Sequence, residues 1–363
     1  MKYACPLLLL LALAACDDPA SDRPEAPPED DLDAGQDAAD PDEDTLPDAQ
    51  AQDTTPSDAE PEPTPDADPS IQTVEAWTEP CPLDAPEFRL VALPDVTLHV
   101  ACQGSGPTIV LLHGFPEFWF GWSKLADVLA ARFRVIMPDQ RGYNLSDKPE
   151  GLENYTVGPL TDDISALIDA VGGGQRVLLV GHDWGGPVAW ITAHRFADKL
   201  TALVILNGPH PDIFAREYAE NDAQRAASSY VRLILNEGIE ASLAANNYGF
   251  LAGAMGDVLS EEELALYIEA WSQPGALTAM LAWYRANFNE DGPAFSGDPV
   301  TVDLPTLVLW GLGDTALLPG NLDGLDAYVP DLTLRTYEGV GHFLAHEIPD
   351  DLAAEINAFH DAL

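Results

Sequence analysis

From about residue 87 onward the chain alternates short apolar runs with longer amphipathic stretches. "FRLVAL" (88–93) and "TLHVAC" (97–102), joined across Pro94 and Asp95, read as two strands and a turn. "TIVLL" (108–112), "FRVIM" (133–137), "RVLLVG" (176–181) and "LTALVIL" (200–206) continue the strand pattern, and it returns in "TLVLWG" (306–311) and "LTLRTY" (332–337). Helices are predicted near 121–132, around 160–171, after the glycines at 185–186, and near 350–362. In the second of these, Leu160, Ile164, Leu167, Ile168 and Val171 fall at helical spacing. Continuous apolar strands alternating with helices predict an α/β protein with a mostly parallel, doubly wound sheet covered on both faces. The alternation stops after "NGPHP" (207–211), and residues 212–298 read as helical throughout. A helical insert between two halves of such a sheet lies over the carboxyl ends of its strands. The expected organisation is therefore a core of 81–211 and 299–363 with a helical cap of 212–298. The "GGG" at 172–174 has no phosphate-loop context and reads as a turn.

The first eighty residues follow a different pattern. Lys2 precedes a short apolar run, Leu7 to Ala15. As a helix that run spans about 14 Å, too little for a bilayer, so residues 1–15 read as a targeting signal. "LAAC" (13–16) resembles the lipobox of bacterial lipoproteins, which implies lipidation of Cys16; the alternative is an ordinary secretory signal with a chance cysteine. Asp17 resembles an inner-membrane retention signal of some lipoproteins, and inner versus outer membrane stays open. Between Asp17 and Pro80 roughly twenty acidic residues meet the single basic Arg23, with Pro and Ala filling most of the remainder. Residues 16–80 are expected to be a disordered, self-repelling tether that would hold the domain to the outer side of a membrane in the bacterial cell envelope.

The net charge of −45 leaves roughly −25 on the folded part, which argues against a nucleic-acid partner. Of four cysteines, Cys5 and Cys16 belong to the signal, leaving Cys81 and Cys102. In an exported protein these either bridge or remain two free thiols. Spacing gives no metal-ligand set, and no cofactor is implied. Oligomeric state is not legible.

Four short stretches fall where strands end: "HGFPE" (113–117), "GHDWGG" (181–186), "GLGD" (311–314) and "GH" (341–342). In a doubly wound sheet these loops meet at one crevice. Their order, Asp183, Asp314, His342, is that of nucleophile, acid and base in the α/β-hydrolases. An aspartate at the nucleophile position changes the chemistry. Attack on an ester would give a reactive anhydride, whereas attack on a saturated carbon gives an ordinary ester that water can cleave. The leaving group is then an epoxide oxygen or a halide.

"HGFPEFW", "DQRGYNLSDKP", "VGHDWGG" and "LAWYRANF", taken together and in order, resemble the epoxide hydrolases of the α/β-hydrolase superfamily over about residues 87–363. The resemblance implies an α/β-hydrolase fold and hydrolysis of a small, neutral, apolar epoxide. Asp183 would be the nucleophile, His342 the base acting on water, and Asp314 the group that orients His342. The backbone N–H groups of Phe115 and Trp184 would form the oxyanion hole, with Tyr230 and Tyr284 as proton donors to the epoxide oxygen. Either tyrosine could instead be a core residue with a satisfied hydroxyl, in which case Tyr155, Tyr218 and Tyr248 are the substitutes. Haloalkane or haloacid dehalogenases use the same Asp nucleophile, but Phe115 stands where many haloalkane dehalogenases carry a polar halide-holding residue. A non-catalytic, lipid-anchored binding protein is a third possibility. His346 is a rival to His342, while His182 is expected to point away from the pocket. His113, Asp139 and Arg141 read as supports. Trp119, Phe120 and Trp122 either line the pocket or pack beneath the cap.

Overall fold

The computed structural model describes residues 71–363 apart from 290 and 296. The signal (1–15), Cys16 and residues 17–70 of the expected tether lie outside the described residues. The strands are β1 (Gln72–Val74), β2 (Glu87–Ala92), β3 (Thr97–Gly104), β4 (Thr108–Leu112), β5 (Arg134–Pro138), β6 (Val177–His182), β7 (Leu200–Leu206), β8 (Phe288–Asn289), β9 (Gly292–Pro293), β10 (Thr306–Gly311) and β11 (Leu332–Tyr337). All but β8 and β9 form one sheet in the order β1-β2-β3-β5-β4-β6-β7-β10-β11. Only β3 runs antiparallel to its neighbours, β2 and β5; the other pairings are parallel.

The helices that flank the sheet include α1 (Ser123–Leu129), α2 (Val157–Gly172) and α3 (Gly185–Arg195). The cap between β7 and β10 carries α4 (Pro211–Glu220), α5 (Asp222–Ala227), α6 (Tyr230–Ile234), α7 (Ile239–Met255), α8 (Glu261–Trp271) and α9 (Ala276–Asn287). The chain closes with α10 (Leu344–Glu347) and α11 (Pro349–Asp361). Central strands are apolar along most of their length because both faces are covered, and alternate residues serve different cores. Ile109, Leu111, Leu178 and Val180 pack with Leu125 of α1 and Ile356 of α11. Val110, Leu112 and Leu179 face the other way, into a core continuous with the cap.

The domain begins before residue 81, which corrects the expected tether boundary. β1 adds to the sheet edge, with Thr73 paired to Leu90. Trp77 is buried, and its N–H donates to Ala170 O at 2.9 Å. The Arg134 guanidinium donates to the Trp77 carbonyl, to Glu79 O at 2.8 Å and to Val171 O at 2.9 Å. It also lies 5.9 Å from the Trp77 ring centroid. One indole with satisfied backbone and a cation over its face outweighs the acidic composition of the ten residues around it. Cys81 and Cys102 form a disulfide with Cα atoms 5.8 Å apart, fixing this strap to β3.

Two features of the cap bear on the site. Its entry and exit strands are joined to each other: His210 Nε2 lies 2.8 Å from Val300 O, and Val300 N donates to Asp212 Oδ2 at 2.8 Å. Burial lowers the His210 pKa to about 4, favouring the neutral ring that donates from one nitrogen only. Helix α7 is interrupted at Ala245–Tyr248, where Asn246, Asn247 and Tyr248 have left-handed φ values of 53°, 55° and 60°.

The disulfide closes a loop of 21 residues. Replacing both cysteines by alanine is expected to lower stability by about 3 kcal/mol, read as a lower midpoint in urea. Activity at temperatures well below the transition should be retained.

Candidate active site

The loops that leave β4, β6, β10 and β11 converge beneath the cap. Asp183 sits at the turn between β6 and α3 with φ 49°, a left-handed conformation that costs a non-glycine residue about 1–2 kcal/mol. The turn is held by Gly186 N donating to Asp183 O at 2.8 Å. It also needs close backbone approach. A Cβ on Gly185 would stand 2.1 Å from Leu112 O, and one on Gly114 would stand 2.2 Å from Asp183 Cβ. The Asp183 side chain therefore projects above the sheet, beside the N-terminus of α3, whose dipole favours negative charge.

Phe115 N donates to Asp183 Oδ1 at 2.7 Å. The other oxygen, Oδ2, lies 3.5 Å from His342 Nε2. His342 Nδ1 lies 2.7 Å from Asp314 Oδ2. Asp314 is buried and further fixed by the N–H groups of Ala316 and Leu317 at 2.8 and 2.9 Å, and by Asn207 Nδ2 at 2.6 Å. Burial works against an imidazolium at His342, but Asp314 first and then Asp183 raise its pKa well above the ordinary histidine value. Burial likewise opposes the charged form of Asp314, and His342 and the surrounding donors hold its pKa below the usual carboxylate range.

Tyr230 and Tyr284 reach the same space from α6 and α9. Their rings lie 6.2 Å apart, edge to face, and Tyr284 packs 5.3 Å from Phe115 and 5.0 Å from Trp184. Burial, then Tyr230 and Asp183, push the Tyr284 hydroxyl well above the ordinary tyrosine value, so it stays a proton donor. Trp184, the residue before α3, contributes its indole to the wall. Asp183, Phe115, Tyr230, Tyr284 and His342 line one cavity of about 100 Å³. The structure thus brings together the seven residues that the sequence proposes for catalysis and the oxyanion hole.

Other candidates fall elsewhere. Tyr248 lies tilted against Trp271, Tyr218 packs over Gly292, and Tyr155 packs beside Gly142; none borders the described cavities at Asp183. Trp119 and Phe120 line a separate cavity of about 320 Å³, and Trp122 is in the core on the face opposite the cap. His113 Nε2 accepts from Gln140 N at 3.1 Å. Arg141 pairs with Asp163, and Asp139 accepts from Trp119 N.

His346 and His182 are both committed to Glu117, a residue to which the sequence analysis gives no role. Glu117 is buried, with Oε1 2.8 Å from His346 Nε2 and 3.0 Å from Tyr267 of α8, and Oε2 3.1 Å from His182 Nδ1. His182 Nε2 in turn lies 2.8 Å from the carbonyl oxygen of His342. Glu117 follows "HGFP" in an otherwise apolar stretch, and that isolation was the available signal. Asn207 likewise ends an apolar strand. Burial would raise the Glu117 pKa, but bonds from His182 and His346 hold it well below the carboxylate range.

Residues 107–349 match the alpha/beta hydrolase fold family. The chain is 39% identical to the AB hydrolase superfamily protein YfhM of Bacillus subtilis, covering 74% of this chain and 95% of that one. It is 30% identical to epoxide hydrolase 1 of Caenorhabditis elegans, covering 77% and 72%. A crystal structure of a Bacillus megaterium epoxide hydrolase in complex with an inhibitor superposes with a TM-score of 0.70 at 30% identity, covering 76% of this chain and all of that one.

Glu117→Gln removes the charge that three donors surround and is expected to destabilise the fold by about 2–3 kcal/mol at neutral pH. Because the folded-state pKa is depressed, this contribution is present above the ordinary carboxylate range and lost as pH falls through the folded value. Wild type and variant should therefore converge in urea midpoint on acidification.

Proposed function

The chain belongs to the α/β-hydrolase family, alongside epoxide hydrolases, and from that premise we propose that it hydrolyses epoxides to vicinal diols through a covalent ester on Asp183. The observation that carries the reading is the pair of tyrosines, Tyr230 and Tyr284, lining the same cavity as the Asp183 carboxylate and His342, which is paired behind it with Asp314. Halide departure needs only N–H donors, whereas an epoxide oxygen leaving as alkoxide needs a proton, and a buried tyrosine supplies one.

In the first step an Asp183 oxygen attacks a ring carbon, the C–O bond breaks, and the oxygen takes a proton from Tyr284 or Tyr230. The product is a hydroxyalkyl ester. In the second step His342 Nε2 takes a proton from water as the water attacks the ester carbonyl. The carbonyl oxygen develops negative charge, and the N–H of Phe115, which already bonds Asp183 Oδ1 at 2.7 Å, supports it, with Trp184 N–H as the second donor. Collapse releases the diol and restores Asp183, and the proton on His342 returns to the tyrosine. Esterification cancels the Asp183 charge, one of the causes that raise the His342 pKa. With that support for the imidazolium gone, the ester stage favours the neutral ring that can take a proton from water, while Asp314 keeps it oriented.

The substrate is a small neutral epoxide, in keeping with apolar walls such as Phe115, Ile234, Phe250 and Phe343. We place the enzyme outside the cytoplasm, held to a membrane of a bacterial cell envelope by lipid on Cys16; the short apolar run ending in "LAAC" and the polar stretch behind it support this.

Incubated with epoxides and haloalkanes in parallel, the protein is expected to yield diol and no halide; halide without diol would install the dehalogenase reading instead. Tyr284→Phe should slow ester formation by about 100-fold or more. His342→Gln should stop at the ester, visible by mass spectrometry as the enzyme plus one substrate. In a bacterial host, Cys16→Ser should abolish incorporation of labelled fatty acid and release the protein from the membrane fraction.

A further inference from the structure

The space around Asp183 is divided in two by the reacting groups, since Asp183, Tyr230 and Tyr284 line both parts. The front part, about 100 Å³, reaches the surface past exposed Thr315 and half-buried Ala227 and Ala254. A cavity of about 150 Å³ takes benzene, so a front lobe that opens outward admits an aryl or alkyl group extending toward the mouth. The rear part is only about 30 Å³. A water-sized group needs roughly 10–15 Å³, which leaves room for about two or three such groups at most.

The rear walls are also packed on one another. Trp184, Phe214, Phe288 and Phe295 are all buried and packed against one another. Trp184 lies 5.9 Å from Phe288 and 5.6 Å from Phe295; Phe288 and Phe295 are 5.9 Å apart; Phe214 stands 6.2 and 6.4 Å from the same two. Moving one ring displaces its partners, and enlarging such a close-packed cluster carries the cost of overpacking.

An epoxide with its oxygen at the tyrosines and a ring carbon at Asp183 straddles the waist between the lobes. Substituents on its two carbons then run into different lobes. We propose that the enzyme accepts epoxides with a large apolar group on one ring carbon and only a small group, of about three heavy atoms or fewer, on the other, and that the interlocked rings of Phe214, Phe288 and Phe295 set that limit. The proposal rests on the epoxide reading of the site and adds a substrate class to it.

The test uses the full chain with styrene oxide, trans-β-methylstyrene oxide and trans-stilbene oxide, which carries a phenyl on each carbon. The first two should be hydrolysed, and trans-stilbene oxide should show a kcat/KM at least about 100-fold below styrene oxide. Phe295→Ala should raise kcat/KM for trans-stilbene oxide by about tenfold or more while changing styrene oxide less, and Phe214→Leu should shift the ratio in the same direction. Wild-type turnover of trans-stilbene oxide within about tenfold of styrene oxide would overturn the size limit and leave the epoxide reading standing. If no epoxide is opened at all, the epoxide reading itself fails. The wild-type ratio decides the question even if a variant does not fold.

Discussion

A carboxylate held in a pocket among aromatic rings must be supported there, and that constraint organises the molecule. Asp183 is about nine-tenths buried, in a pocket where an unsupported charge would be costly. Its support comes from parts far apart in sequence: the N–H of Phe115 on one oxygen, the imidazole of His342 by the other, and the start of α3 below. Each of these sits at the carboxyl end of a strand or just beyond one. The parallel sheet is what lets loops separated by more than a hundred residues meet within hydrogen-bonding distance. The left-handed turn at Asp183 and the absence of Cβ atoms at Gly185 and Gly114 are local conditions for the same placement.

Behind this carboxylate stands a second, which plays a different part. Glu117 touches neither the cavity nor Asp183 in the contacts described, yet it gathers the strand end before Asp183, the helix after His342 and the cap helix α8. The contact from His182 to the His342 carbonyl carries that anchorage to the loop of His342. The site thus has one carboxylate toward the pocket and an enclosed one that fixes the parts around it. The latter gains more from its three partners than it loses by burial.

The sequence was most legible where burial is two-sided and the period therefore disappears: the central strands read as unbroken apolar runs, and the helical segment between them as an insert. The order Asp183, Asp314, His342 was readable because loops at strand ends have few places to go, whereas the two cap tyrosines, on helices α6 and α9, came from the resemblance alone. Residues 71–80 were misassigned because acidic composition is averaged over a window, whereas a single indole under an arginine acts locally. Trp119 and Phe120 border a separate cavity from the catalytic one, a distinction that aromatic content in a loop cannot make. Glu117 was passed over because a lone acidic residue gives no sign of the histidines that lie 65 and 229 positions further along the chain. The disulfide stayed open for the same reason, since separation in sequence does not orient two Cβ atoms.

The pair of contacts at Val300 bears on how a substrate gets in. The two chain crossings between core and cap are fastened to one another through His210 and Asp212, and the cap is tied down again where Tyr267 bonds Glu117 and Trp271 bonds Pro116 O, so it is less a swinging door than a roof bolted at several points. Lifting it whole would break all of these bonds and strip the aromatic cluster from the pocket. Within the roof, Asn246, Asn247 and Tyr248 hold a left-handed stretch just ahead of Phe250, so the interruption of α7 bends the chain where it comes down onto the front lobe.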